Sequence, residues 1–276
     1  MNHAQGLPKF AMNAFVASPD LKSIAHQFLF AAEATIQGIH ITSETQYPFD
    51  ETISYKIESS RGFNFYVRIP EWAAGGSIYT KDSREETVKT DGNNLFQISV
   101  SPGTTSFSIT LNTQPRIVQR SNGVAIYRGA LLYAMEIPHR AKTGPPRHFS
   151  EWTPLPEDAK YSQSIRDVEY TPTADWQVAI DPSQTRFERT ATGKLANPVF
   201  ESGAPPVSIT VAGAKISNWA LEGDCAGLPP SEPAVVGKPF AIKLVPFASA
   251  KLHISEFPVV SLPSVDLERQ GGCHVM

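Results

Sequence analysis

The sequence predicts an all-β protein: two β-sandwich domains in series behind a short N-terminal helical segment. Three observations predict it. From about Ile36 onward, hydrophobic residues alternate with polar ones, which is the period of a strand with one buried face. Clusters of Gly, Pro, Asn and Asp separate the alternating runs. The 276 residues include 23 prolines and only 18% charged residues, which suits short strands joined by loops.

The helix is expected over Ala4 to Ala17. Leu7, Phe10, Ala11 and Phe15 fall on one helical face, and Pro8 suits its first turn. Ser18-Pro19-Asp20 then punctuates the chain. Residues 21–34 read either way: Leu21, Ile24, Ala25 and Phe28 have helical spacing, while residues 24–28 could equally be extended. Strand signals follow at Ile53/Tyr55/Ile57, at Phe63/Phe65/Val67/Ile69, at Phe96/Ile98/Val100 and at Phe107/Ile109/Leu111. Gly75-Gly76, Asp91-Gly92-Asn93-Asn94 and Ser101-Pro102-Gly103 supply turns. These runs predict antiparallel strands with one buried face.

A second block starts near Val124. Residues 124–127 and 131–135 flank Arg128-Gly129, and a Pro-rich stretch expected to be irregular runs from Pro138 to Pro156. Later strands are expected at Trp176–Ile180, Val207–Val211, Phe240–Val245 and Lys251–Phe257. The expected division is a connector over 1–35, sandwiches over 36–120 and 121–260, and a disordered tail over 261–276.

Composition removes several function classes. Lys+Arg is 24 and Asp+Glu is 27, a net charge of −3, which argues against a nucleic-acid or anionic-membrane surface. No run approaches the ~18 apolar residues of a membrane span. The opening MNHAQGLPKF has no basic-then-apolar leader, so a cytoplasmic location is expected. Cys225 and Cys273 cannot build a disulfide framework or a cysteine-rich zinc site.

Chemistry-bearing motifs are sparse. There is no Gly-x-Ser-x-Gly elbow, phosphate-binding glycine loop or His-Glu-x-x-His. His139 and His148 flank Arg140, Lys142 and Arg147, which could form an anion-binding loop but read first as a solvated one. Glu33, Glu44, Asp50, Glu51 and Glu58 could supply an acid/base pair only if the fold set two of them across a cleft. Trp72, Trp152, Trp176 and Trp219 could stack on sugar rings, although tryptophans in sandwiches more often pack internally. The ending Cys273-His274-Val275-Met276 has the outline of a prenylation box, weakened by His274 and by the lack of an upstream basic run.

Several motifs together resemble one family. Phe63-Asn64-Phe65-Tyr66-Val67-Arg68-Ile69-Pro70-Glu71-Trp72-Ala73 is similar to the Arg-Ile-Pro-x-Trp strand of family 127 glycoside hydrolases, the β-L-arabinofuranosidases. Residues 123–136 resemble that family's Val-Ala-x-x-Arg-Gly-Pro-Leu-Val-Tyr segment, with Ala130 in place of the proline. Residues 175–179 and Leu244-Val245-Pro246-Phe247-Ala248 resemble later segments, and residues 2–10 resemble the fungal branch. The resemblance implies two β-sandwiches that follow an (α/α)6 barrel, with residues 4–17 as the last barrel helix and residues 21–34 extended. It also implies that the family's zinc ligands and cysteine nucleophile stand at positions before Met1. No catalytic, cofactor-binding or metal-binding residue is therefore assigned in this chain, and no cofactor is expected.

Three functional readings remain at this stage. The first is a truncated glycoside-hydrolase-like protein without glycosidase activity that serves as an accessory or binding module. The second is a hydrolase-like enzyme with a new site, in fungal secondary metabolism. The third is a carbohydrate-binding module. A reading frame opened at an internal methionine is a further explanation of the resemblance. Phe10 and Phe15 would be exposed on an unpartnered helix, so a protein partner or a homodimer through that helix is expected.

Overall fold

A computed structural model describes residues 3–73, 76–80, 85–156, 165–190, 193–201 and 205–268. The chain is all-β with one short N-terminal helix, as the sequence predicts. It divides into two compact units, one over Met1–Gln114 with Arg128–Ala130, the other over Pro115–Tyr127 and Leu131–Met276.

The first unit opens with α1 (His3–Met12). The helix ends five residues earlier than its apolar spacing suggests. Asn13 donates its side-chain amide to the Lys9 carbonyl (2.7 Å), and the backbone N–H groups of Asn13 and Ala14 make i→i−3 bonds that tighten the last turn. Pro8 falls in the second turn rather than the first, and its missing N–H removes a helix bond there.

The strands of this unit are β1 (Phe15–Ala17), β2 (Ser23–His26), β3 (Ala32–Ile36), β4 (Ile39–Thr45), β5 (Thr52–Ser59), β6 (Phe63–Arg68), β7 (Gly76–Thr80), β8 (Glu85–Thr87), β9 (Leu95–Val100) and β10 (Gly103–Leu111). Phe15 therefore lies in a strand opposite His26, half-buried against the core, and is not the exposed helical residue expected from the sequence. Residues 21–34 are extended, in line with the family resemblance.

One sheet has the order β1-β2-β6-β9 and the other β3-β4-β5-β10-β7-β8. Alternation along the strands puts Ile53, Tyr55, Ile57, Phe63, Phe65, Val67, Phe107 and Ile109 into one shared core, so the two sheets form a sandwich. Gln37 (φ 45°) and Gly38 (φ 80°) make the two-residue turn between β3 and β4, whose left-handed backbone matches strand twist. One pairing departs from the antiparallel expectation: β2 runs parallel to β6, with Ile24 opposite Phe65. Parallel neighbours need a long crossover, and here β3 to β5 provide it by passing through the other sheet.

The second unit holds β11 (Pro115–Gln119), β12 (Val124–Arg128), β13 (Leu131–Glu136), β14 (His139–Gly144), β15 (Asp167–Pro172), β16 (Val178–Arg189), β17 (Val207–Ile216), β18 (Leu221–Glu222), β19 (Cys225–Ala226), β20 (Val235–Pro246) and β21 (His253–Ile254). Its main sheet has the order β11-β12-β13-β20-β17-β16, with β21 on β13. Every residue of β17 from Val207 to Ala214 is buried, so both faces of this strand are covered. Small and hydroxyl side chains, Ser208, Thr210, Ala212 and Ala214, are buried along it with Val207, Ile209 and Val211, whereas β5 has burial on one face only.

The Pro-rich segment expected to be irregular contains β14, which pairs with β15 as a two-stranded arm. Where the sequence suggests a tail from about Ser261, the Leu262 N–H donates to the Asp181 carboxylate and the Val265 N–H to the Gln184 side chain, both at 3.0 Å. The remainder of that stretch, residues 269–276 with the Cys273 motif, lies outside the described residues. Among the described residues no helix is long and apolar enough to cross a membrane.

Candidate functional site

The first unit carries a groove of about 480 Å³, and half of the residues that line it are aromatic. Its sequence origins are scattered, and each segment is held by local chemistry. After β6, the Ile69 N–H donates to the Asn94 carbonyl (2.9 Å), Pro70 stops the strand, and the Ala73 N–H closes a turn on the Pro70 carbonyl (3.0 Å). Ile69 and Ala73 are buried on either side, Glu71 is exposed, and Trp72 is half-buried with its ring packed against the core. Gly129 lies beneath the indole: a Cβ added there would stand 3.6 Å from the Trp72 benzo carbons. Its φ of 57° is the left-handed conformation that glycine adopts without strain.

Tyr47 comes from the β4–β5 connection, where its N–H donates to the Thr45 hydroxyl (2.9 Å). Its ring lies parallel to Trp72, with centroids 6.4 Å apart and an interplanar angle of 9°. Partial burial raises the Tyr47 phenol above its ordinary range, so it stays protonated at neutral pH.

Phe28 and Phe30 come from the β2–β3 link. The Phe30 N–H donates to the Phe28 carbonyl (2.9 Å), a tight turn anchored by buried Leu29. Phe10 of α1 stacks on Phe28 at 3.9 Å and approaches Phe30 at 5.9 Å.

The polar groups of this groove are unspent. Among the described residues, no hydrogen bond or ion pair engages the side chains of Gln27, Tyr47, Arg68, Glu71 or Trp72. Elsewhere the comparable groups are used: the Trp219 indole donates to the Gly227 carbonyl (2.8 Å) and the Tyr66 hydroxyl to Gln97 (3.1 Å). Half-buried rings beside unengaged donors and acceptors can hold a ligand that has an apolar face and several hydroxyls.

The other candidate residues do not converge. Glu33 lies 3.3 Å from the His40 imidazole, and Glu58 bonds Lys56 at 2.7 Å. The lysine's hydrogen bond and charge hold the Glu58 carboxyl below its usual range. Asp50 accepts the Thr52 N–H, Glu51 is ion-paired with Arg128, and Glu44 is an exposed residue of β4. No acid/base pair across a cleft is formed by these five. Trp176 and Trp219 pack edge-to-face at 5.2 Å, and Trp219 is buried. Trp152 is exposed beneath Arg147 (6.0 Å), Arg140 and Lys142 are exposed residues of β14, and the Nδ1 of His139 lies 2.7 Å from the Ile137 carbonyl. Among the described residues, no three His, Cys, Asp or Glu side chains come together to hold a metal.

Of the groove residues, Trp72 and Phe10 stand out in the sequence as candidates for stacking and exposure. Tyr47, Phe28 and Phe30 do not. The one local sign of them is the Gln27-Phe28-Leu29-Phe30 run, where polar residues drop out between two strands.

Comparisons with known proteins agree with this fold. Residues 24–112 match the family described as Beta-L-arabinofuranosidase, GH127 middle domain. A GH127 β-L-arabinofuranosidase from Geobacillus stearothermophilus T6 superposes with a TM-score of 0.56 at 14% identity, over 90% of this chain and 34% of that one. A structure titled glycoside hydrolase gives 0.57 at 14% identity, over 90% and 37%, and a GH127 β-arabinofuranosidase gives 0.54 at 16% identity, over 87% and 35%. No curated protein matches the sequence. The chain thus spans about a third of the length of these solved structures. The chain is similar to GH127 proteins in two respects: the middle-domain match lies within its first unit, and its fold follows GH127 structures over most of its length.

Proposed function

We propose that this chain serves as a binding module related to glycoside hydrolases, holding a carbohydrate in the aromatic groove without cleaving it. The observation that carries this reading is the groove's composition. Trp72 and Tyr47 offer parallel ring faces, and Arg68, Glu71, Gln27 and the Trp72 indole N–H are unengaged by described residues. A sugar's C–H face would cover the rings while its hydroxyls meet the polar groups, so few hydrogen bonds would be lost on desolvation. One similar solved structure is named as a β-L-arabinofuranosidase and another as a β-arabinofuranosidase, which makes an L-arabinofuranoside the first ligand to test.

In isothermal titration, methyl β-L-arabinofuranoside is expected to bind, and Trp72→Ala to weaken it at least about tenfold. Trp72→Phe, which keeps a ring and loses the N–H, should fall between. Unchanged affinity in Trp72→Ala would overturn the site. The purified chain is expected to leave p-nitrophenyl β-L-arabinofuranoside intact and to bind no stoichiometric zinc. Zinc at one per chain, or released nitrophenol, would instead favour a hydrolase-like enzyme.

A second reading is favoured by α1, where Leu7 is 75% and Met12 82% exposed. A protein partner or a second copy of the chain would cover these residues. Light scattering should then show an oligomer, or a captured partner, that is lost in a Leu7→Ser/Met12→Ser variant. The proposed setting is cytoplasmic, since the free and exposed Cys225 suits a reducing compartment.

A further inference from the structure

We infer that the groove takes an amphipathic glycoside, a sugar ring linked to an apolar group, rather than a plain oligosaccharide; this rests on the carbohydrate reading above. The groove is divided in its chemistry. One part carries Tyr47, Trp72, Arg68 and Glu71, whose polar atoms are unengaged by described residues. The other is built from Phe10, Phe28, Leu29 and Phe30, whose side chains have no hydrogen-bonding atom. Phe10, Phe28 and Phe30 form one stacked cluster: Phe10 lies 3.9 Å from Phe28, and Phe28 and Phe30 are nearly parallel at 6.2 Å. Phe10 is nevertheless 47% exposed and Phe28 and Phe30 are only half-buried, so apolar ring surface faces the groove.

Beside this cluster Gln27 is the single lining side chain from the β2–β3 link that can hydrogen-bond, so a second sugar residue laid there would strip water from most of its hydroxyls without replacing it. An aryl or alkyl aglycone would have nothing to lose there and would gain apolar contact with rings already assembled. The two parts together enclose about 480 Å³, within the ordinary range for a small-molecule site. The ligand class that matches both parts is therefore a monosaccharide glycoside with a compact apolar substituent at its anomeric oxygen.

The test compares methyl β-L-arabinofuranoside, phenyl β-L-arabinofuranoside and benzyl alcohol by isothermal titration. The phenyl glycoside is expected to bind at least about tenfold more tightly than the methyl glycoside. Phe28→Ala should reduce that ratio to near one. Thermal melts of Phe28→Ala confirm that the unit is folded, and Phe10→Ala, on a different element, repeats the measurement if it is not. Equal affinity for the two glycosides, or a ratio that survives both substitutions, would overturn the aglycone part and leave the carbohydrate reading standing. Binding of benzyl alcohol with no binding of either glycoside would overturn the carbohydrate reading and with it the glycoside assignment.

Discussion

Phe65→Ala is expected to destabilise the first unit by about 3–5 kcal/mol, the cost of removing a large aromatic side chain from a core that cannot collapse around the cavity. Phe65 has no exposed surface and lies on β6, between its neighbours in the sheet, Ile24 on β2 and Ile98 on β9. Its ring meets Tyr55 edge-on at 5.5 Å and Phe107 at 6.2 Å, and both belong to the opposite sheet. The substitution therefore removes the side chain that joins the two layers as well as its own buried area. Aromatic pairs of this kind add roughly 0.5–1.5 kcal/mol beyond area burial. A typical domain is stable by about 5–15 kcal/mol, so the variant should retain only a fraction of its stability. In urea the midpoint of its unfolding transition should fall by about 2 M. Met12→Ala, at an 82% exposed position, should change stability by less than about 0.5 kcal/mol and the midpoint by only about a few tenths of a molar unit. A midpoint for Phe65→Ala within that small range would show that the sheets are not held together as described.

Acid is expected to weaken the same unit well before its carboxylates titrate. His26 is fully buried between Phe15, stacked at 4.5 Å, and Tyr55, edge-on at 5.6 Å. Its Nδ1 shares a 2.9 Å hydrogen bond with the Tyr55 hydroxyl, and Nε2 has no partner among the described residues. Burial penalises the imidazolium and lowers its pKa from 6.5 to about 4. The unfolded chain therefore binds a proton near pH 6.5 that the folded chain refuses until about pH 4. Stability rises with pH across that window: the contribution is fully present above about pH 6.5 and is lost as pH falls toward 4. The lost amount is about 3 kcal/mol, at ~1.4 kcal/mol per pH unit.

Asp181 acts lower on the scale, in the second unit. Burial alone would raise its carboxyl, but hydrogen bonds from Ser183, Leu262 and Gln184 outweigh it and bring the pKa from 3.8 to about 2. Its contribution is lost only as pH drops below 3.8, so the two effects separate. Urea unfolding at pH 7 and pH 4.5 should show the His26 loss. His26→Gln, which can still bond Tyr55 and does not titrate, should be less stable at pH 7 yet lose little more at pH 4.5. An equal pH dependence in that variant would remove His26 from the account.

Much of the first unit was legible residue by residue. The alternation at Ile53, Tyr55 and Ile57 became the buried face of β5, and the run from Phe63 to Val67 became that of β6, because a strand turns successive side chains to opposite faces. The helix was misplaced at its end, since Phe15 keeps helical spacing with Phe10 while its backbone is claimed by pairing with His26. The strand at His139–Gly144 was missed because its residues are mostly exposed, so no apolar period marks it. The candidate site was the least legible part. Trp72 is a stacking candidate in the sequence, but Phe28 enters only through its helical spacing, and no motif singles out Tyr47 or Phe30.

By itself the sequence determined the local facts: strand periodicity, turn positions, the extended reading of residues 21–34 through the family motifs, and the all-β class. These depend on side chains close along the chain, where period and turn chemistry act directly. The tertiary structure alone decided that β2 pairs in parallel with β6 and that Phe10, Phe28, Phe30, Tyr47 and Trp72 share one groove. It also decided that His26 has no exposed surface. These facts join residues that no local period relates, and they arise only when a crossover and the stacking of two sheets bring distant segments together.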